Sequence, residues 1–172
     1  MFCCTDVAYT DTRAVASGLV FENWDSAVAL EAVSVRIPTV APYRSGHFFE
    51  RELPCLLKLF ESLPYPVDCL IVDGFVWLGP GRPGLGCYLY EALNGKVPVV
   101  GVAKNSFQGN SLAAPVQRGG SRKELWVTSQ GIDLQEAVDG VRAMDGAYRN
   151  PPPEQADKLK AFIGLADWST PG

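Results

Sequence analysis

Apolar and polar positions keep a short period over the first forty residues of the chain and then lengthen it. Phe2 to Ala8 is apolar except for Asp6 and runs out in the polar Thr10-Asp11-Thr12. Ala14 to Phe21 mixes small and β-branched residues, and Asn23-Trp24-Asp25-Ser26 supplies a turn. Val28 to Ile37 alternates, with Val28, Leu30 and Ala32 on one side and Val33, Val35 and Ile37 on the other. Three such segments joined by short polar turns predict an antiparallel meander. The period then becomes helical through Leu53, Leu56, Leu57, Phe60 and Leu63. Pro54 suits the first turn of that helix, which sets Glu52 at or just before its start, where the helix dipole favours an anion.

Cys69-Leu70-Ile71-Val72 is a continuous apolar run between Pro66 and Gly74, the mark of a strand buried on both faces. Asp73 comes where that strand ends. Leu85, Tyr88, Leu89, Ala92 and Leu93 predict a second helix, stopped by Asn94-Gly95, and Val97 to Ala103 predicts another buried strand that closes on Lys104. Leu125-Trp126-Val127 is expected as an edge strand. Asp133 with Glu136 makes a capping-box-like start for a helix carrying Leu134, Ala137, Val138 and Val141. Pro151-Pro152-Pro153 opens a last expected helix, with a frayed tail after Gly164. The order of elements suits a mixed sheet, antiparallel meander plus parallel strands, covered by helices, as in ribonuclease H-like nucleases among other α/β folds.

Composition narrows this picture without changing it. A chain of 172 residues, 47% apolar and 20% charged, is expected to form one domain over 1–172 with a core of its own. No apolar run reaches membrane-spanning length, and the first residues lack the basic-then-apolar pattern of a secretion signal. The five cysteines sit in apolar contexts without metal-like spacing, which suits free thiols in a reducing cytoplasm. His47 is the single histidine, so a multi-histidine metal site is excluded. A net charge of −4 argues against a protein that coats nucleic acid, while leaving room for a local basic cleft.

The candidate chemistry lies in three acids and a lysine. If the strands bearing Asp6 and Asp73 are neighbours, these carboxylates and Glu52 could meet at one sheet edge. Clustered carboxylates repel unless a cation neutralises them, and hard oxygen ligands suit Mg²⁺ or Mn²⁺. Spacing alone leaves open the alternative of three unrelated acids that cap turns and a helix. Lys104 at a strand end could orient a phosphate or could be a snorkelling terminal residue.

Taken together, Thr5-Asp6-Val7-Ala8-Tyr9, Pro42-Tyr43, Gly46, Phe49 to Glu52, Val72-Asp73-Gly74, Gly84-Leu85-Gly86 and Gly101-Val102-Ala103-Lys104 resemble the endonuclease V family of deoxyinosine 3′-endonucleases. Weaker similarity runs on through the helix from Leu134 and through Tyr148 to Leu159. The resemblance implies a ribonuclease H-like fold with a five-stranded-type mixed sheet. It implies nicking of DNA or RNA on the 3′ side of inosine or deoxyinosine, with Mg²⁺ or Mn²⁺ as cofactor. Asp6, Glu52 and Asp73 would hold the metal, Lys104 would assist near the scissile phosphate, and Tyr43 would be the wedge that fills the gap left by an extruded base. Gly74 and Gly84 would border the base pocket, and Arg82 and Arg118 are candidates for the basic walls of the cleft. Arg82, Arg118, Arg122 and Lys123 are scattered in sequence, so an ordinary solvated surface is the competing reading.

Departures from the family pattern bear on activity. Arg44-Ser45 replace the apolar residue and proline that usually follow the wedge tyrosine. Gly79 stands where the family has a histidine before a proline, and Gln130-Gly131-Ile132 lacks another histidine. The chain also starts almost directly at the first strand and is short at its other end. A weakly active or non-catalytic nucleic-acid-binding relative is therefore the alternative reading. Gly79-Pro80-Gly81-Arg82-Pro83-Gly84 also spells a dinucleotide fingerprint, but its prolines remove amide donors that would cradle a pyrophosphate.

Overall fold

The computed structural model describes residues 1–10 and 12–145. Three strands, β1 (Phe2–Tyr9), β2 (Ala14–Phe21) and β3 (Glu31–Ile37), form the expected antiparallel meander. They are followed by α1 (Phe48–Glu61), β4 (Cys69–Asp73), the short β5 (Trp77–Gly79) and β6 (Arg82–Pro83), then α2 (Leu85–Ala92) and β7 (Val99–Ala103). The described chain closes with β8 (Ala114–Val116), β9 (Leu125–Gln130) and α3 (Leu134–Ala143). The main sheet has the order β3-β2-β1-β4-β7-β9-β8, with β1, β4 and β7 parallel to one another. The mixed sheet is thus extended by two strands beyond the meander and the parallel pair. β9 lies between β7 and β8, so Leu125-Trp126-Val127 is not an edge; the three-residue β8, Ala114–Val116, takes that place.

Two apolar cores, one on each face, hold the helices. Cys3, Val7, Leu70, Val72 and Val99 pack with Cys55, Leu56 and Leu59 of α1 and with Leu85, Cys87 and Leu89 of α2. Cys4, Ile71, Val100, Val102 and Val127 pack with Ala137, Val138 and Val141 of α3. The period-2 geometry of strands divides neighbouring residues between these cores. The five cysteines are buried and unpaired, as their apolar contexts suggest.

Two local expectations are corrected. β3 begins at Glu31, leaving Val28 (77% exposed) and Leu30 outside the strand; a turn closed by Ser26 N–H to the Asn23 carbonyl at 3.1 Å precedes them, and Leu30 donates to the Val20 carbonyl at 2.8 Å. α1 begins at Phe48, so Pro54 lies inside the helix and Glu52 in its second turn rather than at its head. An interior proline removes one helical hydrogen bond and costs about 3 kcal/mol. The extra turn is held by packing: Phe49 stacks on Tyr88 with centroids 4.0 Å apart, and Glu52 is buried. Gly79 to Gly84 is a β5–β6 hairpin with a bulge, not a phosphate loop. The expected helix after Pro151 lies outside the described residues.

α3 opens as expected: Asp133 caps it, its carboxylate accepting the N–H groups of Gln135 at 2.9 Å and Glu136 at 3.2 Å.

Candidate active site

Strand pairing sets two of the three acids level with each other. The hydrogen-bonded ladder between β1 and β4 runs from Phe2↔Cys69 to Cys4↔Ile71. Two residues further along each strand stand Asp6 and Asp73. Cys4 and Ile71 face the same core, so the two-residue period places both carboxylates on that face at the same level. On the next strand Asp73 pairs with Val102, and Lys104 follows two residues later, just past the end of β7. Asp73 and Lys104 thus stand at the carboxyl ends of two adjacent parallel strands, where open α/β sheets collect functional groups, with Asp6 in the second half of the neighbouring β1. Asp6 is buried and accepts the Val7 N–H at 2.9 Å; Asp73 and Lys104 are exposed.

Across the meander Asp6 is opposite Ser17, and Ser17 is opposite Ser34, with the two serine hydroxyls 3.0 Å apart. This polar strip from Asp6 to β3 has a sequence signal only in hindsight, as single polar residues in otherwise apolar strands.

Glu52 comes from the other side. It is 4% exposed on α1, which covers the opposite core, and it lies beside Tyr9 and Cys55, whose acid dissociation it opposes through its negative charge. Burial is the larger cause for both groups: it raises Tyr9 well above its ordinary value and Cys55 to about 11. Among the described residues no three histidine, cysteine, aspartate or glutamate side chains stand close enough to hold a metal ion. The oxygen donors present, two carboxylates level on neighbouring strands and a third buried nearby, fit a hard divalent cation in kind.

The loop after Asp73 is laid tightly against β7 and α2. Gly74 donates to the Val102 carbonyl at 3.0 Å, Val76 donates to Thr128 Oγ1 at 2.8 Å, and Gly84 donates to the Val76 carbonyl at 2.8 Å. A Cβ on Gly84 would lie 2.4 Å from the Phe75 carbonyl oxygen, so the space beside Gly84 is filled by the chain's own backbone. Gly74, at φ +124°, has open space where a Cβ would lie, while its N–H is held by the Val102 carbonyl and its own carbonyl oxygen packs against Gly101. Gly79 has φ +152°, a conformation that strains any L side chain, so the loop is built for glycine where the family has histidine. The exposed Arg82 on β6 lies over the Phe107 ring at 5.3 Å, and Phe107 meets Phe75 edge-on. Phe107 was not singled out from sequence; an aromatic three residues past Lys104 in a polar stretch is the signal it offered.

The remaining candidates divide. Tyr43 is 65% exposed in the loop before α1, next to Arg44, which shares the Glu50 carboxylate with His47 at 3.3 and 3.0 Å. Arg118 is not on a cleft wall: it is 4% exposed and donates to the carbonyls of Met144 and, at 3.1 Å, Asp145, where it ties β8's end of the sheet to the close of α3.

A meander leading into parallel strands, with helices on both faces, an acid within β1 and another at the end of β4, is the ribonuclease H-like architecture. The family model for Endonuclease V matches residues 1–134, and the chain belongs to that family. It is 41% identical over 144 residues to an endonuclease V of Streptomyces coelicolor, covering 82% of this chain and 58% of the relative. The chain thus spans little more than half the length of that relative. The crystal structure of endonuclease V from Streptomyces avermitilis superposes with a TM-score of 0.76 at 26% identity, over 94% of this chain and 80% of that one. Endonuclease V of Ciona intestinalis, solved with a 24mer DNA containing an inosine followed by a ribo-adenosine, has the same fold at 18% identity, with a TM-score of 0.79 over 94% and 84% of the two chains.

Proposed function

We propose that this protein is a metal-dependent endonuclease that cuts a phosphodiester on the 3′ side of inosine or deoxyinosine. The observation that carries the reading is the level placement of Asp6 and Asp73 on neighbouring strands, with Lys104 on the next, in a chain of the endonuclease V family. Asp6, Asp73 and Glu52 would hold Mg²⁺ or Mn²⁺, which when bound activates water and stabilises a departing oxygen. Lys104, just past the end of β7, would offer a point charge to a phosphate. The open space beside Gly74 would give a flat base an approach, and the exposed Tyr43 can stack where the base has left. The Ciona relative's inosine-containing DNA supports the substrate class.

The test is cleavage of single- and double-stranded DNA and RNA, with and without inosine, in Mg²⁺ or Mn²⁺ against chelator. Nicking 3′ to inosine that stops with chelator, and that Asp73→Asn abolishes with melting unchanged, is the expected result. Asn keeps the shape of the side chain and loses the charge that holds the ion. Gly79, which supplies no imidazole, favours a second reading, a binder without efficient turnover. Inosine-selective binding with no metal-dependent cleavage would establish that reading instead.

A further inference from the structure

The loop that carries Tyr43 has no core of its own: every residue from 41 to 48 is exposed. Its last turn is closed by His47 N–H on the Arg44 carbonyl at 3.0 Å. α1 then starts with Glu50 in its first turn, where the helix dipole favours an anion. That carboxylate is shared. Its Oε2 accepts from Arg44 Nη1 at 3.3 Å, and its Oε1 lies 3.0 Å from His47 Nδ1. Nearby, Phe48 meets the Tyr9 ring edge-on at 6.4 Å, and Arg51 donates to the Thr10 carbonyl at 3.2 Å. The start of α1 therefore stands at the carboxyl end of β1, the edge of the sheet at which the parallel β4 ends in Asp73.

Arg44 is the member of this set with donors to spare. Among the described residues Glu50 engages it through Nη1 alone, and its side chain is 63% exposed. An exposed ion pair of this kind contributes little, because water screens both partners. A backbone phosphate fits the guanidinium fork through two parallel bonds and so competes well with a carboxylate held by one. Glu50 is not stranded by the exchange, since it is itself exposed and keeps His47 on its other oxygen. Tyr43 is the preceding residue and is exposed as well. A flat ring for a base and a cation for the adjoining phosphate are thus offered side by side, the combination that holds single strands. Arg44 stands where the family has an apolar residue, so the cation is this chain's own addition to the loop.

We infer that Arg44 is a further nucleic-acid contact: its guanidinium leaves Glu50 for a backbone phosphate beside the base position at Tyr43. Glu50 is the resident anion that holds the guanidinium in place until a strand arrives. The inference rests on the proposed role of Tyr43 at the inosine site. It deepens that reading with a contact that is blind to the base, since a phosphate carries no sequence information.

The experiment titrates labelled single-stranded DNA oligonucleotides, matched except for inosine or guanine at one position, against the parent, Arg44→Gln, Arg44→Lys and Glu50→Gln. Chelator is present, KCl is varied, and thermal melts run in parallel. Arg44→Gln should melt with the parent, bind both oligonucleotides several-fold more weakly, and make the slope of log affinity against log salt shallower by about 0.7–1, the loss of one phosphate contact. Arg44→Lys should restore the slope, because charge alone sets it. Glu50→Gln should keep the slope and tighten binding of both oligonucleotides by up to about 5-fold, the worth of the exposed ion pair that no longer competes. Parent-like affinity and slope for Arg44→Gln overturn the inference. Weaker binding by Glu50→Gln overturns it too, because the ion pair would then belong to the bound state. A lower melting temperature for Arg44→Gln would assign the guanidinium to the fold, with the same result. A parent that binds without preferring inosine counts against the proposed function and not against this contact, which the slopes decide; a parent that binds neither oligonucleotide overturns both.

Discussion

At the scale of single residues, exposure and backbone conformation separate candidates that the sequence treats alike. Tyr43 is 65% exposed, whereas Tyr9, also beside polar residues in sequence, is packed under Arg51. An exposed ring contributes little to the fold and is free to meet a ligand. Tyr43→Ala is therefore expected to leave the melting temperature unchanged and to weaken binding to an inosine-containing oligonucleotide by about 1–3 kcal/mol, the range for losing a base–aromatic stack. Fluorescence anisotropy with matched inosine and guanine oligonucleotides checks this; equal binding by variant and parent makes Tyr43 an ordinary loop residue. Asp6 and Asp73 were legible because a carboxylate inside or at the end of an apolar run is conspicuous. Arg118 was misjudged for the opposite reason: an arginine in a glycine-containing polar stretch gives no sign that its guanidinium is buried on two backbone carbonyls. The cysteines carried their answer openly. Burial lifts Cys3 and Cys69 to about 12, so these thiols stay protonated and are packing groups, not nucleophiles.

At the scale of elements, the meander, the two parallel strands and all three described helices could be located from periodicity, and the errors lie at their ends. Pro54 was taken to mark the first turn of α1 because a lone proline rule knows nothing of Phe49 stacking on Tyr88. β8 was hidden because three residues, Ala114–Val116, are too few to show a period. The loop after Asp73 could be recognised as glycine-rich, but not what its glycines serve. They form a slot: a Cβ on Gly101 would lie 2.6 Å from the Gly74 carbonyl oxygen, 2.7 Å from Val76 N and 2.9 Å from Thr128 Oγ1. β7 and the loop can sit this close only without a side chain between them. Gly101→Ala should destabilise the protein by about 1–3 kcal/mol, the cost of overpacking a close-packed site. Because the displaced atoms belong to the loop that follows Asp73, cleavage should fall as well. Gly120→Ala, where a Cβ meets nothing within 4 Å, is the matched control and should be neutral. Urea unfolding of both variants decides it, and equal midpoints would show that the loop yields without cost.

At the scale of the whole molecule, the charge balance sets how a polyanion can be held. The chain carries a net charge of −4, so the far field repels nucleic acid and attraction must come from cations placed locally at the strand ends. Lys104 is exposed just past β7 and Arg82 is exposed on β6, where it is steadied over Phe107. Arg118 adds nothing to that local field, being buried toward the end of α3. The two arginines should therefore fail in different ways. Arg82→Gln should keep its melting temperature, bind oligonucleotides more weakly regardless of the base present, and lower the slope of log affinity against log salt by about 1, as expected for the loss of one phosphate contact. Arg118→Gln should leave that slope unchanged and lower stability, because two backbone carbonyls lose a charged donor, a bond type worth about 1.5–3 kcal/mol each. Oligonucleotide titrations over a range of KCl concentrations, paired with thermal melts, separate the two. A salt slope that falls for Arg118→Gln and not for Arg82→Gln would mean that the nucleic acid lies on the α3 side of the sheet, away from the β5–β6 hairpin.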